Sequence, residues 1–180
     1  MSNIIIYGSC YGTTKQYADE LSKRTNIEAI SFKSVKEINN YNNIIYLGGL
    51  YAGGVLGMAK TIKKLNNIAN KNIIIATVGL SDSTDEVNKN NIRNNIKKQL
   101  PKEIFEKAKI FHLRGGIDYS KLNFTHKTMM KLLYNAVKNL PKEKQTVEDR
   151  AMIETYNQKV NFIDFSSLDE IINEIQKLMF

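Results

Sequence analysis

The sequence predicts an α/β fold, a three-layer doubly wound sandwich built on a five-stranded parallel sheet. Five short and almost entirely apolar runs recur within the first two thirds of the chain, and segments with helical spacing of apolar residues separate them. Continuous apolar runs are typical of parallel strands that are buried on both faces. Right-handed crossovers between such strands place helices on both sides of the sheet.

The predicted strands, in chain order, are Asn3–Tyr7, Ile27–Phe32, Ile44–Leu47, Asn72–Val78 and Lys109–Arg114. Helices are predicted at Thr14–Arg24, Val35–Asn39 with Ser34 as its cap, Met58–Ala69 and Asp85–Gln99. In such sheets ligands bind beyond the carboxyl ends of the strands. Polar or glycine-rich loops follow four of the five strands, so we expect one composite site at that edge.

The last third of the chain departs from this rhythm. A basic helix is predicted at Thr125–Leu140, in a stretch without any acidic residue between positions 119 and 142. A short apolar run follows at Val160–Phe165, and Ser166 is expected to cap a final helix over Leu168–Met179.

Length and composition predict one domain over residues 1–180, with a helical insertion at about 122–158. The net charge of +8 points to an acidic partner or to a solvated, lysine-rich surface. Cys10 is the only cysteine, so no intrachain disulfide is possible and a cytoplasmic location is expected. The first strand begins too early for a signal peptide, and no apolar run approaches a membrane span. No nucleic-acid recognition motif is found, so nucleic acid is not an expected partner.

The loop at Gly8–Thr14 lies between a buried strand and a helix start. Free backbone N–H groups and the helix dipole make such a turn a place to bind phosphate. The loop lacks the spacing and the lysine of a Walker-type nucleotide loop. Cys10 stands where a dinucleotide-binding loop has its second glycine, and the second strand ends without the required acid. Both nucleotide patterns are therefore excluded.

Ser9-x-x-Gly12-x-Thr14 after an N-terminal strand resembles the FMN phosphate loop of flavodoxins. Tyr11 departs from that pattern, which usually has serine or threonine at this position. The resemblance implies FMN as the cofactor and a flavodoxin-like sheet with the strand order 2-1-3-4-5.

A second part of the resemblance lies beyond the fifth strand. The run from Leu113 to Tyr119, the basic helix carrying Met129 and Met130, and a final strand and helix are similar to one flavodoxin branch. That branch includes the menaquinone-dependent protoporphyrinogen oxidases, which carry an inserted helical segment before the last strand. The resemblance implies an FMN-dependent oxidoreductase or electron carrier. Its partner would be a redox protein or a small molecule of quinone or porphyrin type. The alternative is a binding module that kept the fold and lost the cofactor.

The resemblance also implies which loops hold FMN. The phosphate is expected on Ser9, Cys10, Tyr11, Gly12, Thr13 and Thr14. One face of the flavin is expected at Leu50, Tyr51, Ala52, Gly53 and Gly54, with Tyr51 stacking on the ring. The pyrimidine edge is expected at Val78, Gly79, Leu80, Ser81 and Asp82, and Gly115, Gly116 and Asp118 are expected to close the site. Structural alternatives stay open: Thr13 or Thr14 as a helix cap, Tyr51 as a surface residue, and Asp118 as a turn cap.

The remaining reactive residues are expected to be structural. Cys10 has no CxxC partner, and we interpret it as a small residue of the phosphate loop rather than as a nucleophile. His112 lies in a predicted buried strand. Cysteine and histidine are too few for a metal cluster, and no catalytic side chain is expected.

The basic helix Thr125–Leu140 has two interpretations. Its apolar face packs on the domain, or the segment makes a peripheral contact with an anionic membrane.

Overall fold

The computed structural model describes residues 2–51 and 53–179. The strands are β1 Asn3–Gly8, β2 Ala29–Ser31, β3 Asn43–Tyr51, β4 Gly54–Val55, β5 Asn72–Gly79, β6 Lys109–Arg114, β7 Gly116–Asp118 and β8 Lys159–Asn161. The helices are α1 Thr13–Thr25, α2 Met58–Ile62, α3 Glu86–Gln99, α4 Lys102–Lys107, α5 Phe124–Val137, α6 Val147–Thr155 and α7 Asp169–Met179.

Five parallel strands form the main sheet in the order β2-β1-β3-β5-β6. The two-residue strand β4 pairs antiparallel with β3 and is the only departure from the parallel pattern in this sheet as described. Counting the parallel strands alone, the order is 2-1-3-4-5, and the predicted fold class is confirmed.

Two hydrophobic clusters cover the two faces of the sheet. Successive strand residues alternate between them, so that Ile4 and Ile6 belong to one cluster and Ile5 to the other. The first cluster packs against α2, α3 and α4, and the second packs against α1 and α7. Burying one such side chain contributes roughly 1.5–3 kcal/mol, so the two faces together dominate the stability of the fold.

Two predicted helices differ from the structure. The helix predicted at Met58–Ala69 ends at Ile62, and the end of the predicted range is instead a 3-10 turn at Ile68–Asn70. Asn67, which precedes that turn, adopts a left-handed conformation that asparagine tolerates. The short helix predicted at Val35–Asn39 is wrong, since a single 3-10 turn at Ile38–Asn40 stands there without a side-chain cap.

The C-terminal strand lies outside the main sheet. β8 pairs antiparallel with β7, with Ile117 opposite Val160, and the rest of the predicted apolar run is not a strand. The helix α7 follows a 3-10 turn whose cap is Asp164, which accepts the Ser166 N–H at 2.9 Å. Ser166 is therefore capped and is not itself the cap.

Helices α5 and α6 form most of the segment at 122–158. Although all of α5 is described, none of its residues is fully buried, and Phe124 is 85% exposed. No helix in the described part of the chain is long and apolar enough to cross a membrane.

His112 provides a test of the fold through pH. It lies in β6, half-buried, and its Nδ1 is 2.7 Å from the Thr77 hydroxyl. Burial, assisted by the nearby charges of Lys89 and Arg93, lowers the pKa of His112 to about 4. In the unfolded chain His112 takes up a proton near pH 6.5, whereas in the folded protein it stays neutral until about pH 4. The stability that the fold gains with neutral His112 is therefore complete above pH 6.5 and is lost as the pH falls toward 4.

We expect His112→Gln to flatten the acid limb of the stability curve. Between neutral and mildly acidic pH, the free energy of unfolding of the wild type should fall by about 1–2 kcal/mol more than that of the variant, after allowance for solvent screening. Urea unfolding at a series of pH values measures this. Parallel curves for the two proteins would show that His112 is not held neutral by the fold.

Candidate functional site

A cleft of about 640 Å³ lies at the carboxyl edge of the main sheet. The structure brings most of the predicted site residues into its lining, as follows: Ser9, Cys10, Tyr11, Thr13, Thr14, Leu50, Tyr51, Gly53, Gly54, Val78, Gly79, Leu80, Ser81, Gly115, Gly116 and Asp118. Gly12 and Asp82 do not line the cleft, and Ala52 lies outside the described residues. Four loops that are distant in sequence thus meet at one edge.

Helix α1 begins at this cleft without compensation of its dipole. Its N-cap residue, Gly12, has φ 95° and no side chain to cap the helix, and the first turn contains no acidic residue. By contrast, side chains cap α3, α5 and α6, through Asp85, Asn123 and Thr146. The start of α1 therefore keeps free N–H donors and partial positive charge.

The hydroxyls of the first loop divide between structural and free roles. Ser9 Oγ accepts the Gly12 N–H at 3.0 Å, and Thr13 Oγ1 donates to the Gly116 carbonyl at 3.3 Å. Thr14 lines the cleft at 3% exposure and forms no side-chain hydrogen bond with the described residues. A helix cap by Thr13 or Thr14 is not found, so the Thr14 hydroxyl is the one most available to a ligand.

The residues on either side of Ala52 pair with one another at the end of β3. Leu50 pairs with Val55, and Tyr51 pairs with Gly54. The side chain of Gln99 supports this pairing from α3 by accepting the Val55 N–H at 3.1 Å. These paired residues form one wall of the cleft.

The loop after β5 uses its side chains internally. Ser81 donates to Asn88 at 3.3 Å, and Asn88 donates to the Asp82 carbonyl at 2.9 Å. Asp82 accepts the N–H and hydroxyl of Thr84, and these bonds hold the pKa of its carboxyl below the usual range. The carbonyls of Gly79, Leu80 and Asp82 also accept hydrogen bonds within the protein, so only the other backbone groups of this loop are left for a ligand.

Asp118 caps the turn that follows β7. Its carboxylate accepts the Ser120 N–H at 3.0 Å and lies 3.9 Å from Lys159 Nζ. The bonds from Ser120 are the main reason why the pKa of Asp118 is lowered. The turn-cap interpretation thus has direct geometric support, although the residue also lines the cleft.

His126 is the site residue that the sequence did not reveal. Tyr11 and Tyr51 both bond to it: the Tyr11 hydroxyl meets its Nδ1, and the Tyr51 hydroxyl lies 3.0 Å from its Nε2. Each tyrosine ring centroid is 5.4 Å from the imidazole, and the Tyr11 hydroxyl also accepts the Asn123 N–H at 3.2 Å. The available signal was its spacing, one helical turn before Met129 and Met130.

The inserted helices supply an apolar wall to the cleft. Met129, Met130 and Leu133 of α5 and Met152 of α6 all line the cleft. Glu148 also lines this part, and desolvation by the surrounding walls raises the pKa of its carboxyl, with Asp149 adding to the shift. This wall is an addition to the four loops at the sheet edge.

The tyrosine bridge generates a prediction about α5. Since no residue of α5 is fully buried, the double substitution Tyr11→Phe and Tyr51→Phe should loosen the helix by removing its hydrogen bonds to the loops. We expect amide hydrogen exchange in α5 to quicken by about thirtyfold, for two bonds of about 1 kcal/mol each. Tyr134→Phe, whose ring instead stacks on Tyr156 at 3.9 Å, is the matched control. Unchanged exchange in the double variant would contradict this view.

The family model described as the flavodoxin domain matches residues 4–145. No curated protein gives a significant match.

Three solved structures illustrate the distant likenesses. Oxidised flavodoxin 1 of Bacillus cereus is 17% identical, with a TM-score of 0.44, over 78% of this chain and 100% of that one. A flavoprotein of Lactobacillus acidophilus in complex with FMN is 13% identical, with a TM-score of 0.41, over 63% of this chain and 91% of that one. A flavodoxin of Fusobacterium nucleatum bound to flavin mononucleotide is 19% identical, with a TM-score of 0.42, over 69% of this chain and 75% of that one.

These structural likenesses are too remote to carry a conclusion, whereas the family model spans well over half of the chain. The observed sheet order agrees with it. The chain belongs to the flavodoxin-domain family.

Proposed function

We propose that the chain binds FMN in the cleft and acts as a redox protein, either an oxidoreductase or an electron carrier. The observation that carries this proposal is the uncapped start of α1 beside the unbonded hydroxyl of Thr14, a residue that is only 3% exposed and lines the cleft. These donors suit a phosphate dianion, and the absence of acid in the first turn of α1 leaves its charge uncompensated. When bound, FMN supplies the electron-transfer chemistry.

The chain's own residues would bind and orient the cofactor. In this proposal the loop at 9–14 holds the phosphate, while the hairpin at 50–54 and the loop at 78–82 flank the ring. Glycine is needed at positions 79 and 115 because these loops pack tightly against one another: a Cβ at Gly115 would meet Val78 Cγ1 at 2.7 Å, and one at Gly79 would meet Leu50 Cδ1 at 2.8 Å. This packing holds the loops together at the cleft. Tyr51 would contact the ring from the hairpin while His126 holds its hydroxyl.

The first experiment is a visible absorption spectrum of the purified protein, with mass spectrometry of any small molecule released by heat. A flavin spectrum and the mass of FMN are expected. A colourless protein that takes up no added FMN would contradict the proposal and favour a binding module that has lost the cofactor.

Thr14 gives a sharper test of the phosphate site. Thr14→Val keeps the shape of the side chain and removes the hydroxyl, so we expect about tenfold weaker FMN binding from the loss of one hydrogen bond to a charged group. Binding of riboflavin, which lacks the phosphate, should not change. Thr125→Val, at an exposed position on α5, is the control and should leave both affinities unaltered. An equal loss of affinity for FMN and for riboflavin would show that Thr14 does not bind the phosphate.

For the substrate, we propose an apolar, planar partner of quinone or porphyrin type. The support is the methionine-rich wall that α5 and α6 add beyond the cofactor loops. Turnover of a quinone and of protoporphyrinogen by the FMN-loaded protein tests it. Leu133→Ser, in the cleft lining, should lower turnover, whereas Leu132→Ser, on the exposed surface of the same helix, should not. No turnover with either compound would leave electron transfer as the function.

A peripheral membrane contact through Thr125–Leu140 has weaker support. An interfacial helix buries its apolar side in lipid. On α5, Met129 and Leu133 line the cleft instead, and the lysines lie on the other side of the helix.

A further inference from the structure

A second surface of α5 points away from the cofactor cleft. Phe124, Lys127, Lys131 and Lys138 lie at positions i, i+3, i+7 and i+14, which place them on one stripe of the helix. We call these four residues the lysine stripe. At 1.5 Å per residue it extends for about 20 Å along the surface.

A shallow depression of about 840 Å³ lies beside this stripe. Phe124, Lys127 and Lys131 form one side of it, and Tyr156 and Lys159 are among the residues on the other. Two residues, Asp118 and Lys159, line both this depression and the cofactor cleft. The two sites are therefore neighbours, separated by α5, whose diameter is about 10–12 Å.

The charge of the lysine stripe is unbalanced. Neither Lys127 nor Lys131 forms an ion pair with any carboxylate among the described residues. The acid that lines the depression, Asp118, is already engaged by Ser120 and Lys159. The stripe consequently presents positive charge that nothing in the described chain neutralises.

Phe124 supplies an apolar anchor within this charge. It is the most exposed of the large hydrophobic residues described, at 85%. The Asn123 side chain accepts the His126 N–H at 2.8 Å and thereby fixes the start of α5 just before Phe124. An exposed aromatic ring surrounded by charged residues is the usual composition of a protein–protein contact, with an apolar centre and a polar rim.

We propose that the lysine stripe docks an acidic redox protein that exchanges electrons with the cofactor cleft. This rests on the proposed function, since the partner is placed one helix away from bound FMN. Its surface would carry carboxylates opposite Lys127 and Lys131 and an apolar pocket for Phe124. A protein fits better than a lipid surface, because the stripe carries one apolar residue and the rest of the apolar face of α5 partly lines the cleft.

The test uses the FMN-loaded full chain and a plant-type ferredoxin as the acidic one-electron donor. Each productive encounter moves one electron from the reduced iron–sulfur cluster to bound FMN, leaving the ferredoxin oxidised. The second-order rate of flavin bleaching is measured at low and high salt. K127E/K131E should slow it by at least about tenfold at low salt and remove most of its salt dependence.

The matched control reverses the same number of charges elsewhere. Lys63 and Lys64 are exposed at the end of α2, where the chain returns to the amino end of β5. K63E/K64E should change the rate by about twofold or less, since screening limits the effect of distant charges. Phe124→Ala should slow the reaction at high salt as well, because the anchor is not electrostatic. A small uncharged reductant should bleach every variant at the wild-type rate.

Two results would overturn the proposal. Equal slowing by the two charge reversals would show that only net charge matters. Loss of binding to anionic vesicles in K127E/K131E, with an unchanged ferredoxin rate, would make the stripe a membrane surface. Failure of the proposed function is recognised separately, because a chain that takes up no FMN shows no flavin band in any variant, while its complex with ferredoxin can still be titrated.

Discussion

Burial of the central strands on both faces is the constraint on which the rest of this structure depends. Ile5, Ile45 and Ile74 are essentially inaccessible, and their backbone groups bond within the sheet. The polar side chains that these strands do carry, such as Tyr46 and Thr77, are already hydrogen-bonded inside the fold. The chain can place donors only where the strands end, and the four loops at the carboxyl edge follow from that necessity.

The inserted segment changes what this edge can do. In a sheet with simple crossovers the cleft would open to solvent beyond the loops. Here α5 covers it, although none of its residues is fully buried, and Tyr11, Tyr51 and His126 join it to two of the loops. At Tyr11, where the sequence departs from the flavodoxin pattern, the hydroxyl bonds to His126 of α5 and to the Asn123 N–H that precedes it.

Much of the fold was predictable because its signals are local. Apolar runs identified the parallel strands, and the glycine and hydroxyl residues at Gly8–Thr14 identified the start of α1. Contacts between distant segments were not predictable. His126 is 115 residues from Tyr11 in the sequence. The residues around a single histidine do not indicate which distant side chain it will contact. The same holds for β7 and β8, three residues each, which pair with one another instead of extending the sheet. The early end of α2 was missed because the apolar residues keep helical spacing up to Ala69, beyond Ile62 where the helix stops.

The central claim is that the uncompensated start of α1 holds a phosphate dianion. Phosphorus NMR of the FMN complex across a pH titration tests it most directly, because the second pKa of a free phosphate monoester is about 6. If N–H groups of α1 and the Thr14 hydroxyl hold the dianion, the bound resonance should stay constant between about pH 5 and 8. A bound resonance that titrates as it does in free FMN would contradict the claim.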